Sequence, residues 1–221
     1  MKGAHKYMVE NMVDEDGKDW RKNLYRAEKA VFLHDIIGKN EIKKIMMDGM
    51  YNMVSKAIKK VIWNSQYGII TDKATDAIKS ALKNGAQVDF MTNDYGSWSV
   101  GFDDLVLDSN GLAIDHRFSE LGKGLSVYGY HGPDRIHSKV IVVDDNECAI
   151  TSANLDPRSE SINTEVGVII KQKYLCRKYA AHIESYMATA KPYIKKGKKI
   201  RKSYRKGFFR KMFLKVIRPF L

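Results

Sequence analysis

The chain has 221 residues, 44% hydrophobic and 29% charged, with four prolines and two cysteines, which suffices for one domain with a substantial core and excludes a disordered chain, a disulfide scaffold or a repeat array. The formal net charge of +12 is concentrated, because Lys191 to Leu221 carries 13 Lys/Arg and no Asp or Glu, while the other 25 cations nearly balance all 26 anions in residues 1–190. No run approaches the ~20 apolar residues of a spanning helix, and Cys148 and Cys176, with no CxxC and no secretory h-region, favour a reducing, cytoplasmic-side setting.

Residues 1–45 are polar and mixed in charge, with Trp20, Leu24, Val31, Phe32 and Leu33 as scattered apolar anchors, and read as an entry segment. Asp14-Glu15-Asp16-Gly17 lacks the later ligands of a calcium loop and reads as a turn. A domain follows over residues 46–190. Met46–Lys60 has apolar residues at helical spacing and predicts an amphipathic helix packed on a sheet. Val61-Ile62-Trp63 opens a strand, Asp72–Asn84 is a helix closed by Gly85, and Ala86–Thr92 is a second strand; this order marks a βαβ unit and a parallel crossover. Ser97, Trp98 and Ser99 follow that strand at the end where α/β sheets bind ligands. Asp103–Leu121 reads as a helix whose Asp103, Asp104 and Asp108 form a solvated face. Strands are expected at Gly124–Tyr130, Lys139–Asp144, Glu147–Thr151 and Thr164–Ile170, with a hairpin turn at Asp145-Asn146, and Lys173–Ala190 closes the domain as a helix.

Residues 191–221 form a basic tail. Phe208, Phe209, Met212, Phe213, Val216 and Ile217 recur at helical spacing among Arg210, Lys211, Lys215 and Arg218, the pattern of a helix lying in the headgroup region of an anionic membrane. A nucleic-acid arm and a helix docking on a partner compete with it. The large apolar residues argue against a purely phosphate-binding arm.

The chemistry centres on His137-Ser138-Lys139. On a strand, residues i and i+2 share a face, so an imidazole and an ammonium become neighbours. A neutral ring nitrogen suits nucleophilic attack on a phosphodiester while the cation offsets charge on the non-bridging oxygens, with no metal or other cofactor required. An acceptor for the ring and further phosphate donors are available in Ser152, Asn154 and Glu165. The other histidines show no ligand spacing, and no metal site is assigned.

His137-x-Lys139, Asp144 and Thr151-Ser152-Ala153-Asn154 together resemble the HKD motif of the phospholipase D superfamily. Asn154-Leu155-Asp156-Pro157-Arg158-Ser159 and Asn163-Thr164-Glu165-Val166-Gly167 resemble its bacterial cardiolipin synthase branch. The resemblance runs from about Val31 to Met187 and matches the C-terminal half of a two-motif protein. It implies an α/β fold with a phospholipase D-type mixed, mostly parallel β-sheet flanked by helices. It also implies a phosphohistidine at His137, phosphate held by Lys139 and Asn154, the ring oriented by Glu165, and Asp144 as a structural carboxylate of the motif. Thr151 stands where the family pattern usually has glycine.

Only one motif is present, so the resemblance implies a second HKD-bearing chain, either a symmetric copy or a separate N-terminal half. The expected activity is phosphatidyl transfer of cardiolipin synthase type on anionic phospholipid, by a protein peripheral on the inner face of the cell membrane. The alternatives are a homodimeric single-motif phosphodiesterase or endonuclease, the one reading with a nucleic-acid partner, and an inactive or conditional half of a split enzyme.

Overall fold

A computed structural model describes residues 26–39, 41–94, 102–132, 134–203, 212–214 and 216, with backbone alone at 102–104. The sequence features at His5, residues 14–17, Ser97–Ser99 and Phe208–Lys211 lie outside the described residues.

The strands are β1 (Lys29–His34), β2 (Ile36–Ile37), β3 (Ile42–Lys43), β4 (Lys60–Asn64), β5 (Gln87–Asn93), β6 (Leu125–Tyr130), β7 (Val140–Val143), β8 (Glu147–Thr151), β9 (Val166–Lys171), β10 (Lys191–Lys195) and β11 (Lys198–Lys199). Nine of them form one mixed sheet in the order β1-β9-β8-β7-β4-β5-β6-β10-β11, and β2 and β3 form a small ribbon. The pairs β4·β5 and β5·β6 at its centre are parallel. The flanking pairs are antiparallel.

Helices cover both faces: α1 (Ile45–Ser55), α2 (Asp72–Lys83) and α3 (Phe102–His116) on one, and α5 (Lys173–Thr189) on the other, with the short α4 (Pro157–Ser161) at the rim. Alternation along the strands sorts the side chains. Val61, Trp63, Val88, Phe90, Ile141 and Val143 enter the core beneath α1 and α2. Ile62, Met91, Val140, Val142 and Cys148 face Cys176, Ala180, Ile183 and Met187 of α5. Burial on both faces explains why β4 and β7 read as continuous apolar runs. Each large side chain here, Trp63 or Phe90 for example, contributes roughly 1.5–3 kcal/mol. The β4–α2–β5 crossover has Thr71 as N-cap, accepting from the Ala74 amide at 3.2 Å, and Gly85 at φ +92°, a conformation that suits glycine, as the exit.

Several expectations shift. Helix α1 stops at Ser55 because residues 56–59 must turn into β4. The β7–β8 turn is centred on Asp144 and Asp145, both at positive φ (51° and 58°), with the Asn146 amide donating to the Val143 carbonyl at 3.0 Å. Part of the entry segment is integral to the sheet, since β1 pairs along its length with β9. The basic segment likewise begins inside the sheet: β10 pairs with β6, and Tyr193 and Ile194 are buried in the main core.

Helix α3 carries no solvated acidic face at Asp108. That residue is buried, as are Ser109, Asn110 and Asp115. The returning basic chain explains part of this inward polarity: Lys199 Nζ lies 3.0 Å from Asp115, the Ser203 amide donates to Asp115 at 2.9 Å, and Arg201 meets Asp94 at 3.1 Å. The near-neutral body and its cationic end are therefore complementary within one molecule.

Candidate active site

The C-terminal ends of β4, β5 and β6 define one edge of the sheet. Antiparallel pairing brings the start of β7, the end of β8, the start of β9 and the end of β1 to that same edge, through the pairs Asn64↔Val140, Thr151↔Gly167 and His34↔Val166. His137, Lys139, Ser152, Asn154 and Glu165 all lie on it. Asp144 lies at the opposite edge, beyond the far end of β7.

His137 and Lys139 precede β7 rather than sit within it, so their relation is set by an irregular segment. Two asparagines at the ends of parallel strands hold that segment. Asn93 Nδ2 donates to the Ile136 carbonyl (3.0 Å) and its Oδ1 accepts from the Ile136 amide (2.8 Å). Asn64 Nδ2 donates to Ser138 Oγ (2.6 Å) and to the Ser138 carbonyl (3.3 Å). His137, between these anchors, is exposed, and its ring makes no hydrogen bond among the described residues. Lys139 turns inward and is 8% exposed; its Nζ donates to the His137 carbonyl (2.6 Å) and faces Gln66 Oε1 (3.4 Å). Burial holds the Lys139 ammonium below its ordinary range, against the opposing pull of Glu165 and Asp156.

Beside Lys139 lies a buried polar network. Glu165, 4% exposed, accepts from Ser152 Oγ and from Asn163 Nδ2 (3.4 Å). The Ser152 hydroxyl in turn accepts from the Val166 amide (3.1 Å). The Asn154 amide donates to Ser159 Oγ (3.1 Å), while Asn154 Oδ1 is buried with no partner among the described residues. Asp156 caps α4 by accepting from the Ser159 amide (2.8 Å); burial raises its carboxyl above the usual range despite that bond. Asp35 anchors the network from below, accepting from the Met46 amide (3.0 Å) and the Glu165 amide (3.1 Å) and pairing with Lys44 at 3.5 Å.

Thr151 occupies its position without a positive φ. Its hydroxyl donates to the Val166 carbonyl (3.0 Å) and accepts from the Ala153 amide (3.0 Å). The glycine requirement falls across the ladder instead: a Cβ on Gly167 would meet the Ile150 carbonyl oxygen at 2.7 Å and the Thr151 Cβ at 2.9 Å. Asp144 accepts from three consecutive amides, Ile58 (3.1 Å), Lys59 (2.8 Å) and Lys60 (2.9 Å), and so ties the β7–β8 turn to the α1–β4 connection. The edge thus assembles Lys139, Ser152, Asn154 and Glu165 as one polar cluster with His137 at its rim. It places Asp144 elsewhere. Sequence reasoning missed Asn64, Gln66, Asn93, Asp35 and Lys44; a polar residue closing an apolar parallel strand, as Asn64 and Asn93 do, was the available signal.

The fold is that of the phospholipase D superfamily. A phospholipase D family member, Nuc of Salmonella typhimurium, superposes with a TM-score of 0.59 at 16% identity over 75% of this chain and 97% of its own. Phosphatidylserine synthase of Haemophilus influenzae superposes with a TM-score of 0.62, again at 16% identity, over all of this chain and 53% of its own. Within that class, the family described as "Cardiolipin synthase, PLD-like domain" matches residues 50–187, and the chain belongs to it. A probable cardiolipin synthase of Bacillus subtilis is 29% identical over 155 residues, covering 66% of this chain and 28% of the relative. Cardiolipin synthase 1 of Staphylococcus epidermidis is 28% identical over 183 residues, covering 78% and 33%. The chain therefore spans about a third or less of these curated relatives.

Proposed function

We propose that the chain carries out phosphatidyl transfer of cardiolipin synthase type on anionic phospholipid, through a phosphohistidine at His137 and with a second HKD motif supplied by another chain. The observation that carries this reading is the convergence of Lys139, Ser152, Asn154 and Glu165 beside His137 on one sheet edge, in a chain of the cardiolipin synthase family. A ring nitrogen of His137 attacks phosphorus, and the bond from phosphorus to the headgroup oxygen breaks. The departing alcohol takes its proton from the partner's motif. A hydroxyl of a second phospholipid then attacks the same phosphorus while its proton returns to the partner's motif, the N–P bond breaks, and His137 is regenerated. Lys139 and Asn154 offset charge on the phosphate, with Ser152 beside them. Glu165 orients the ring once the partner closes the site. The buried Asn154 Oδ1, without a partner among the described residues, is consistent with a site completed only by its ligands.

The membrane contact in this reading is the C-terminal segment, comprising Phe208, Phe209, Arg210, Lys211 and Phe213. In its described part, Leu214 is buried against Ile69 and Val106, whereas Met212, Phe213 and Val216 are exposed. Ile69 follows the β4 loop that supplies Gln66, so the exposed apolar side chains stand near the catalytic edge. No described helix is long and apolar enough to cross a membrane. Peripheral binding at the inner face of the cell membrane fits these features.

Purified protein mixed with phosphatidylglycerol vesicles is expected to release glycerol, and His137→Ala to abolish release; unchanged release in the variant refutes the mechanism. The homodimeric phosphodiesterase reading draws on one observation, that this domain covers 97% of the Nuc chain, so a unit of this size matches a whole chain elsewhere in the superfamily. Cleavage of DNA without lipid turnover selects it. A monomer inert on both substrates identifies a conditional half.

A further inference from the structure

The edge of the sheet opposite His137 carries a second concave surface. A cavity of about 600 Å³ lies where β5 and β6 begin and the β10–β11 hairpin turns, and Lys123, Lys195, Lys196 and Lys198 line it. None of these four ammonium groups has a hydrogen bond or ion pair among the described residues. The one carboxylate in the lining, Asp89, is paired with Lys60 at 3.6 Å, and Lys60 also meets Glu184, so five lysines stand against two carboxylates. The backbone imposes this convergence. The hairpin turn holds Lys196 at φ +49° and Gly197 at φ +79°. The Gly197 amide donates to the Leu125 carbonyl (2.7 Å), and the Lys196 amide donates to the buried Ser126 Oγ (3.2 Å). The turn sits so close to Gly122 that a Cβ on Gly197 would meet the Gly122 carbonyl oxygen at 2.5 Å. Lys123, between Gly122 and Gly124, is thereby set beside the three hairpin lysines. Lys195 and Lys198 are directly opposed in the β10·β11 ladder, a register in which like charges destabilise a ribbon.

We infer that this groove is a second anion site, separate from the catalytic edge, and that it takes a multivalent phosphate-bearing anion from solution, such as a pyrophosphate or polyphosphate group. An anion between Lys195 and Lys198 turns their mutual repulsion into two attractions. Lysine contributes point charges on flexible stems rather than a planar fork, which suits a ligand presenting several phosphate oxygens over one presenting a single carboxylate. A monovalent anion would offset only one of the four unpaired cations. The position of the groove selects the source. β5 runs seven residues from Gln87 in the groove to Asn93 at the catalytic edge, and at ~3.3 Å per residue the two edges stand roughly 20 Å apart. That is more than twice the ~8 Å over which charges act at physiological salt. A membrane surface lying on the His137 edge therefore does not fill the groove. The choice of a soluble source rests on that membrane reading, whereas the site itself rests on the lysines and the two interlocked turns.

The test is a titration of the full chain with sodium pyrophosphate at about 0.15 M salt, followed through the amide resonances of Gly122, Gly124 and Gly197. Saturable shifts at these glycines are expected, and they should persist in His137→Ala, which separates the groove from the catalytic edge. The dissociation constant should rise about tenfold or more in Lys195→Gln/Lys198→Gln, and about threefold or more in Lys123→Gln from the other turn. The double variant removes an opposed like-charge pair, so without pyrophosphate its unfolding midpoint should be no lower than that of the parent; lost binding is thereby distinguished from lost folding. Shifts that sodium chloride reproduces at equal ionic strength, or that the lysine variants leave unchanged, overturn the site. Flotation with phosphatidylglycerol vesicles tests the source: the double variant should float as the parent does, and a loss of about tenfold would give the lysines to a lipid headgroup and overturn the soluble anion. Saturable glycine shifts in a protein that turns over no lipid keep the site and count only against the transfer reading.

Discussion

Replacing Asp144 separates a structural carboxylate from a chemical one. Its two oxygens accept from the Ile58, Lys59 and Lys60 amides at 3.1, 2.8 and 2.9 Å, and its backbone holds φ 51°. In Asp144→Ala, water replaces the carboxylate at the two exposed amides for ~0.5 kcal/mol each, the part-buried Lys60 amide loses ~1–2 kcal/mol, and alanine at positive φ adds ~1 kcal/mol. The total is about 3–4 kcal/mol. Asp144→Asn keeps one acceptor oxygen for Lys59 and Lys60 and tolerates the left-handed backbone, so its cost is ~1 kcal/mol. For a chain of this length the alanine variant should melt roughly 6–16 °C lower, and urea unfolding should place the asparagine variant between it and the parent. Glycerol release from vesicles at 25 °C should stay within about twofold of the parent for Asp144→Asn, since the residue is at the edge remote from His137. A loss of about 100-fold with an unchanged unfolding transition would refute the structural assignment and place the carboxylate in the chemistry.

Gly167→Ala forces a Cβ against the Ile150 carbonyl and Thr151 and should cost about 1–3 kcal/mol in urea unfolding; Thr151→Gly should recover part of that cost, and full additivity of the two changes would contradict the contact. Lys139 is held below its ordinary pKa by burial. Between the folded value and the ordinary lysine value of 10.5 the unfolded chain therefore binds more protons than the native one, and native stability relative to Lys139→Met should rise with pH across that window. A flat or falling difference in paired unfolding titrations would show that the ammonium is not desolvated. Ending the chain after Ser203 should preserve folding but lower binding to anionic vesicles about tenfold or more. Ending it after Ala190 should abolish folding by removing buried Tyr193 and Ile194; equal vesicle binding by the parent and the Ser203 truncation in a flotation assay would refute the tail's role.

Strong local signals were legible in the sequence. The βαβ unit was visible because β4 and β5 are apolar runs flanking a capped helix with Gly85 behind it, and β8 was bounded correctly at Glu147 and Thr151. The candidates at 137, 139, 152, 154 and 165 fall in contiguous motifs, which is why they can be picked out together as residues of one edge. Three features resisted for physical reasons. The segment carrying His137 and Lys139 is shaped by long-range bonds from Asn64 and Asn93, which sequence spacing does not encode. Asp108 reads as a solvent-facing helix residue but is buried, and Asp115 on the same helix is covered because the basic chain after β10 folds back onto it through Lys199 and the Ser203 amide. The same return hides Tyr193 and Ile194 inside a stretch whose charge suggests a detached tail.

The most direct test of the account is a chemical quench during phosphatidylglycerol turnover, followed by mass analysis of the protein and its peptides. A phosphatidyl adduct on the peptide containing His137 is the predicted result; its N–P bond survives base that strips the acyl chains, is lost in acid and is missing in His137→Asn. Sustained turnover with no adduct on that peptide, or an adduct that persists in the variant, would contradict it.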